Sequence, residues 1–187
     1  MLPDSHAVVL VEGISDRIAL EALAVRRGRD LVREGVAILP VGGAQAIGRE
    51  LEALGPHGRN LRLAGLCDAG EERHVARALA RAGLGETLDR AGMERVGFFV
   101  CVEDLEDELI RALGPAGVES VLEAQGDLET FRNFQNQPAW RGRPVDAQLR
   151  RWLHAADRRN TRYPPLLIAA LDAAQSLPPL DGVLAHV

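Results

Sequence analysis

Residues 7–16 read Ala7-Val8-Val9-Leu10-Val11-Glu12-Gly13-Ile14-Ser15-Asp16, and they indicate the class of fold. The first five residues form a short uncharged run, rich in β-branched side chains, which is typical of a strand buried on both faces of a parallel sheet. The run ends at Gly13, and apolar residues at helical spacing follow it. Glu12 therefore lies at the carboxyl end of a buried strand, where α/β folds bind ligands. Asp16, in the first turn of the next helix, is expected to face the same crevice.

Two further apolar runs end in acidic residues. The runs 61–67 and 96–102 lead into the carboxylates Asp68, Glu71, Asp104 and Glu106. The carboxyl ends of parallel strands share one edge of the sheet, so we expect these groups to converge with Glu12 and Asp16. Converging carboxylates need a cation between them, and hard oxygen ligands favour Mg²⁺ or Mn²⁺ over zinc. Each acidic run alone is also explained as a helix N-terminus whose dipole the acids complement, but the three together favour a metal site.

Strands and helices alternate along the first part of the chain. Apolar runs predict strands at 7–11, 36–41, 61–67 and 96–102. Helical patterns separate them at 15–27, near 44–54 and near 71–82, and later helices are predicted at 104–113, 116–124, 127–135, 145–154, 164–173 and 179–186. This alternation predicts an α/β fold with a roughly four-stranded parallel sheet flanked by helices. We expect 1–113 to form a core and 114–187 to form a helical C-terminal extension packed on it as one compact unit.

The ordered acidic motifs resemble those of a Toprim domain, which has a Rossmann-like α/β fold. More closely, they resemble the Toprim nuclease half of the OLD (overcoming lysogenization defect) family, whose larger members fuse it to an ATPase. The likeness rests on residues 10–16, on the glycine turn 41–43, on Asp68 and on residues 104–109. It extends to the C-terminal segments 159–163, 166–167 and 177–180.

The resemblance implies a Mg²⁺- or Mn²⁺-dependent DNA endonuclease or phosphodiesterase. The implied metal ligands are Glu12, Asp16, Asp68, Glu71, Asp104 and Glu106. Glu12, Asp16 and Asp68 are the expected catalytic acids, and Glu12 could alternatively serve as a general base. Arg159 or Arg162 is expected to hold the scissile phosphate.

Two departures from the family pattern favour an alternative function. Toprim domains commonly carry Asp-x-Asp after the third strand, whereas this chain has Gly70 at the second position, with Glu71 as the candidate replacement ligand. OLD nucleases carry a lysine in the C-terminal segment, but all 22 basic residues here are arginines, and Asn160 stands at the nearest equivalent position. Arginine binds phosphate bidentately but does not readily give up a proton. The alternative is a catalytically impaired metal- or nucleic-acid-binding Toprim module that acts with a separate ATPase.

The late part of the chain mixes arginines with aromatic residues. A net charge of −5 argues against a protein that coats nucleic acid generally, but a local basic face is compatible with a nuclease. The arginines are Arg141, Arg143, Arg150, Arg151, Arg158, Arg159 and Arg162, and the aromatics are Phe131, Phe134, Trp140, Trp152 and Tyr163. Two interpretations are open: DNA backbone binding with base stacking, or a helix that buries Leu149 and Trp152 and turns its arginines to solvent. Tyr163 is interpreted as structural or phosphate-adjacent.

The composition and the motifs of the chain indicate which cellular compartment and which partners to expect. Cys67 and Cys101 are too few for a disulfide framework and are expected to be reduced and buried. No leader pattern or membrane-spanning run is present, so we expect a cytoplasmic protein. Without a lysine the 187 residues hold no Walker A motif, so any ATPase is expected on another polypeptide. The expected partners are DNA and that ATPase, a homodimer is left open, and the five histidines show no metal-ligand spacing.

Overall fold

A four-stranded parallel sheet forms the centre of the protein. The computed structural model describes residues 5–43, 46–86 and 88–187, with the exception of the side chain of residue 157. The strands are β1 (Ala7–Val11), β2 (Val36–Pro40), β3 (Arg62–Cys67) and β4 (Phe98–Val100), in the order β2-β1-β3-β4. All neighbouring strands pair in parallel, and every residue of β1 is fully buried. The predicted α/β fold with a parallel sheet is confirmed.

Helices cover both faces of the sheet. They are α1 (Ile14–Arg26), α2 (Ile47–Leu54), α3 (Glu72–Arg81), α4 (Arg90–Arg95), α5 (Leu105–Ala124), α6 (Leu128–Gln135), α7 (Val145–His154), α8 (Asp157–Ala170) and α9 (Pro178–His186). Val8 and Leu10 of β1 pack with α2 and α3 on one face, while Ala7, Val9 and Val11 face α1 and the C-terminal helices. This alternation follows from the two-residue period of a strand.

The C-terminal helices pack directly on the core. α8 lies along α1, α9 contacts β3 and β4, and α7 packs on α5 and α8. The chain bends at Gly114, whose φ of 72° and ψ of 154° interrupt α5 just before Pro115. Glycine tolerates this positive φ, and proline prevents a regular helix there. The bend coincides with the boundary we predict between 1–113 and 114–187, and that division stays a prediction.

Some helix boundaries differ from the sequence-based prediction. The sequence pattern predicts a helix over 164–173. In the structure α8 begins at Asp157 and contains Pro164 and Pro165. Tertiary packing overrides the local signal, since Tyr163, Leu167 and Ile168 are all buried in the core. The predicted start of the second helix at 44 falls on residues 44–45, which lie outside the described residues; α2 is described from Ile47.

Gly65 allows the close packing of β3 against β4. A Cβ atom at this position would lie 2.4 Å from Cε1 of Phe98 and 2.9 Å from the carbonyl oxygen of Leu10. Glycine therefore leaves the space that the Phe98 ring occupies beside the strand. Nearby, Cys67 and Cys101 are free and buried, as predicted. Within the described part of the chain, no helix is long and apolar enough to cross a membrane.

Candidate metal centre

The carboxyl ends of β1, β3 and β4 meet at one edge of the sheet, because β3 lies between the other two strands. The edge is held together by backbone hydrogen bonds. The backbone N–H groups of Gly42 and Gly43 donate to the carbonyl oxygen of Glu12 at 3.1 and 3.2 Å, and both glycines have positive φ. The N–H of Ala69 donates to the carbonyl oxygen of Glu103 at 3.1 Å. The acidic residues that follow these strands therefore start from one shared, hydrogen-bonded edge.

Asp16 is a buried carboxylate that caps its own helix. It is 9% exposed, and its Oδ2 accepts a hydrogen bond of 2.8 Å from the N–H of Gly13. Burial raises the pKa of Asp16 to about 6, and the negative charges of Glu12 and Asp104 add to this rise. The pKa of Glu12 is also raised, by burial and by the charge of Glu71. The first two predicted acids thus lie near each other and near acids from other strands.

Asp68 is a partly buried acid whose pKa responds to several other carboxylates of the cluster. Its pKa is raised to about 7, first by burial and then by the charges of four other carboxylates: Asp16, Glu12, Asp104 and Glu106. Glu71 ends the short 3-10 turn Ala69–Glu71, which directly follows Asp68. The six predicted ligands therefore follow the carboxyl ends of three neighbouring strands. Of these six, the structure places Asp104 and Glu106 in a group of possible ligand atoms within 4.8 Å of one another, and Glu12, Asp16, Asp68 and Glu71 are not part of that group.

Asp104 and Glu106 are buried at the start of α5, where they contact two side chains of α7. Asp104 caps α5 through a 2.9 Å hydrogen bond from the N–H of Asp107 to its Oδ1. Its Oδ2 accepts from Nε of Arg150 at 2.6 Å and lies 3.0 Å from Nε2 of His154. Burial by itself raises the pKa of Asp104, but the hydrogen bonds from His154, the Asp107 backbone and Arg150 outweigh it, so the pKa is lowered.

His154 joins Asp104 and Glu106 into a group that could hold a metal ion. Its Nε2 lies 3.2 Å from Oε2 of Glu106, and each of the three residues offers one ligand atom within 4.8 Å of the others. Both carboxylates are nearly inaccessible, at 6% and 4% exposure. Carboxylate oxygens and an imidazole nitrogen are ordinary ligands of divalent cations. The donor set therefore fits the cation that the sequence predicts.

Residues 5–69 match the family model of the "Overcoming lysogenization defect protein-like, TOPRIM domain". Nearly the whole chain also has the fold of the C-terminal regions of two OLD proteins. It superposes on the C-terminal region of the Xanthomonas campestris pv. campestris OLD protein with a TM-score of 0.72 and 25% identity, over 97% of this chain and 94% of that one. For the C-terminal region of the Burkholderia pseudomallei OLD protein the TM-score is 0.75 and the identity 20%, over 97% and 96% of the two chains. No curated protein matches the sequence. The Toprim resemblance and the Toprim-type fold are thus confirmed.

Arg159 and Arg162 do not contact the acidic edge of this Toprim fold through any described hydrogen bond or ion pair. Arg159 donates to the carbonyl oxygen of Trp152 at 3.0 Å, and its Cζ lies 3.8 Å from the centroid of the Trp152 ring. Arg162 forms hydrogen bonds of 2.9 Å with Asp127 and with Gln125. Both guanidinium groups have partners within the helical extension, and their predicted role on the phosphate stays a prediction.

Some residues of the arginine and aromatic cluster agree with a buried helix face, and others agree with a surface that could stack on DNA bases. Leu149 and Trp152 are buried, as the interpretation of α7 as an amphipathic helix requires. Tyr163 is 1% exposed and donates to Asp127 at 2.5 Å, which supports a structural role. Trp140, in contrast, is half-buried beside Phe134, and the Cζ of Arg143 lies 4.9 Å from the centroid of its ring. This small surface is the part of the cluster that is still open to a stacking partner.

Sequence reasoning missed Arg150 and His154 as members of the site. The two residues follow Asp104 by 46 and 50 positions, so no local motif connects them to it. The sequence signal that could have found them is their spacing. Residues four apart lie on the same face of a helix, so Arg150 and His154 are expected to face the same neighbour. Leu149 and Trp152 define the buried side of α7, and Arg150 and His154 flank it.

Proposed function

We propose that this protein is a Mg²⁺- or Mn²⁺-dependent phosphodiesterase of the Toprim type that acts on DNA as an endonuclease. The observation that carries the proposal is the charge concentration at the edge of the sheet. Asp16 and Asp68 have pKa values of about 6 and about 7, because burial and neighbouring carboxylates oppose their ionisation. Such a cluster becomes favourable at neutral pH when a cation binds to it. The nuclease-type chemistry of the OLD-like Toprim family agrees with this interpretation.

The proposed ligands are Glu12, Asp16, Asp68, Glu71, Asp104 and Glu106. A bound divalent cation would neutralise charge on the phosphate and assist the attack of water. Glu12 is half-buried, so it can reach solvent while its backbone is held by Gly42 and Gly43. It is accordingly suited to orient water or to accept a proton from it.

Arg150 is our candidate for the cation that holds the phosphate at this edge. Its Nε bonds to Asp104, while its Nη1 is 3.6 Å from the nearest carboxylate oxygen of Glu103, beyond hydrogen-bonding distance. The outer N–H groups of the guanidinium are therefore less committed, and its side chain is 39% exposed. A guanidinium anchored on one side can present its other donors to a phosphate oxygen pair.

The test is cleavage of supercoiled and linear plasmid DNA by the purified chain with Mg²⁺, Mn²⁺, Ca²⁺ or EDTA. We expect nicking or degradation with Mg²⁺ or Mn²⁺, and loss of that activity in Glu12→Ala and Asp68→Asn. Glu52→Gln, at an exposed glutamate of α2, is the matched control and should cleave like the wild type. Circular dichroism should show that all variants are folded. Equal cleavage by the wild type and by Glu12→Ala would contradict the proposal, because it would indicate a contaminating nuclease.

The second candidate function is binding without cleavage, as the partner of a separate ATPase. It is favoured by Gly70, which stands where the common Toprim pattern has a second aspartate, and by Asn160, the nearest equivalent of the lysine that OLD nucleases carry. The Oδ1 atom of Asn160 is buried and has no hydrogen-bond partner in the described structure. A folded wild type that binds metal and DNA but cleaves neither plasmid form with any metal would favour this function.

A further inference from the structure

We infer that His154 is a nitrogen ligand of the metal centre and that it makes the centre selective for Mn²⁺ over Mg²⁺. This inference rests on the proposed metal-dependent function and adds to it a ligand from the helical extension. The Toprim motifs supply carboxylates only, and all of them come from the ends of strands or the first turns of the helices that follow. His154 comes from the last turn of α7, on the other side of the edge.

The distances around His154 match those between adjacent ligands of a small cation. Its Nε2 is 3.0 Å from Oδ2 of Asp104 and 3.2 Å from Oε2 of Glu106. Two adjacent ligands of an octahedral ion with bonds of about 2.1 Å are separated by about 3.0 Å. The two separations from His154 therefore match those of adjacent ligands, and all three residues offer ligand atoms within 4.8 Å of one another.

The chemistry of an imidazole determines the preference. Mg²⁺ favours carboxylates and water, whereas imidazole nitrogen is a better ligand for first-row transition metals than for Mg²⁺. A centre built only from the predicted acids would bind Mg²⁺ and Mn²⁺ through the same type of oxygen. Adding one nitrogen should strengthen Mn²⁺ binding selectively.

A competing explanation is that His154 is only a positive counter-ion for Asp104, like Arg150. The two hypotheses predict opposite effects of substitution. A counter-ion occupies the carboxylate and competes with a metal, so its removal should strengthen the binding of every cation. A ligand contributes a bond, so its removal should weaken the binding of the metal that prefers nitrogen. Arg150 lies 2.6 Å from the same oxygen and cannot be a ligand, because a guanidinium has no free lone pair.

The experiment measures binding of Mn²⁺ and Mg²⁺, without DNA, by isothermal titration calorimetry for the wild type, His154→Gln and Arg150→Gln. His6→Gln is the matched control, since His6 is exposed and precedes β1 at the opposite edge of the sheet. We expect His154→Gln to lose about 10-fold or more in Mn²⁺ affinity and much less in Mg²⁺ affinity. Arg150→Gln should bind both metals more tightly, and His6→Gln should match the wild type.

Pulsed electron paramagnetic resonance gives an independent readout. Bound Mn²⁺ should show hyperfine coupling to a ¹⁴N nucleus in the wild type, and the coupling should be absent in His154→Gln. Tighter binding of both metals by His154→Gln, or a wild-type spectrum without nitrogen coupling, would overturn the inference. Neither result depends on cleavage, so a centre that selects Mn²⁺ in a protein that cleaves no DNA would contradict the proposed function and leave this inference intact.

Discussion

Nε of Arg150 lies 2.6 Å from Oδ2 of Asp104 and connects α7 to the carboxyl end of β4. Asp104 also caps α5, so one carboxylate joins the sheet edge, the helix that follows it and a helix of the C-terminal extension. The extension is therefore part of the candidate site. This contact also provides a direct test of which arginine binds the phosphate.

Substitution of Arg150 by glutamine should weaken DNA binding and cleavage by about 10- to 100-fold, because a charge-assisted hydrogen bond contributes about 1.5–3 kcal/mol. Arg151→Gln is the matched control, since Arg151 is exposed and lies next to it on the same helix. Fluorescence anisotropy with Ca²⁺ would report binding, and plasmid nicking with Mn²⁺ would report cleavage. Equal losses in both variants would indicate that only the overall positive charge of α7 matters.

The stability of the metal-free protein should depend on pH through Asp68. Its pKa is about 7 in the folded protein, above the ordinary value of 3.8, so the folded state binds its proton more tightly than the unfolded state. The free energy of unfolding therefore decreases as the pH rises from about 4 to about 7. Asp68→Asn imitates the protonated carboxyl and should escape this loss.

We expect Asp68→Asn to match the wild type near pH 4 and to be more stable at pH 8, on the order of 1 kcal/mol after allowance for solvent screening. For a chain of this size that gain corresponds to about 2–4 °C in Tm. Thermal unfolding in EDTA at the two pH values measures it, and Glu52→Gln serves as the control. A wild-type advantage at pH 8 would contradict the prediction. Mn²⁺ should stabilise the wild type more than Asp68→Asn at pH 8.

Replacement of Gly70 by aspartate should tighten metal binding by restoring the Asp-x-Asp pattern. Gly70 is exposed, and a Cβ atom there would meet no other atom within 4 Å, so the new side chain fits without strain. An additional carboxylate beside Asp68 should raise the affinity for Mn²⁺ by about 3- to 10-fold, since affinity depends on the number of charged ligands. Gly70→Asn has the same shape without the charge and is the control in calorimetry. The prediction is wrong if the two variants bind Mn²⁺ equally.

The hydroxyl of Tyr163 should matter for stability and not for cleavage. It is buried, donates to Asp127 at 2.5 Å, and its ring packs edge-on against Trp152 with centroids 5.6 Å apart. Tyr163→Phe keeps the packing and removes one hydrogen bond to a charged group. The free energy of unfolding measured in urea should therefore fall by about 1.5–3 kcal/mol. Cleavage under native conditions should be unchanged. Lost cleavage at unchanged stability would instead place the hydroxyl in the site.

Local patterns predicted the sheet well, and the role of the acids that follow its strands stays a prediction. The uncharged run 7–11 forms β1 at the predicted boundaries, because a strand buried on both faces leaves no room for polar side chains. Asp68 and Asp104 follow β3 and β4 as expected, because parallel strands bring their carboxyl ends together. The predicted start of α8 at 164 was wrong, since the helix begins at Asp157 and contains both prolines in its interior.

The amino-acid pattern was sufficient for the class of fold, the Toprim resemblance and the six carboxylates at the sheet edge. Each of these depends on neighbours within one strand-turn-helix unit, where periodicity and spacing determine position. The contacts of Asp104 with Arg150 and His154 arise because α7 packs on α5, and the partners that hold Arg159 and Arg162 arise within the same helical layer. Such contacts depend on how separate elements pack in three dimensions, and spacing along the chain does not encode them.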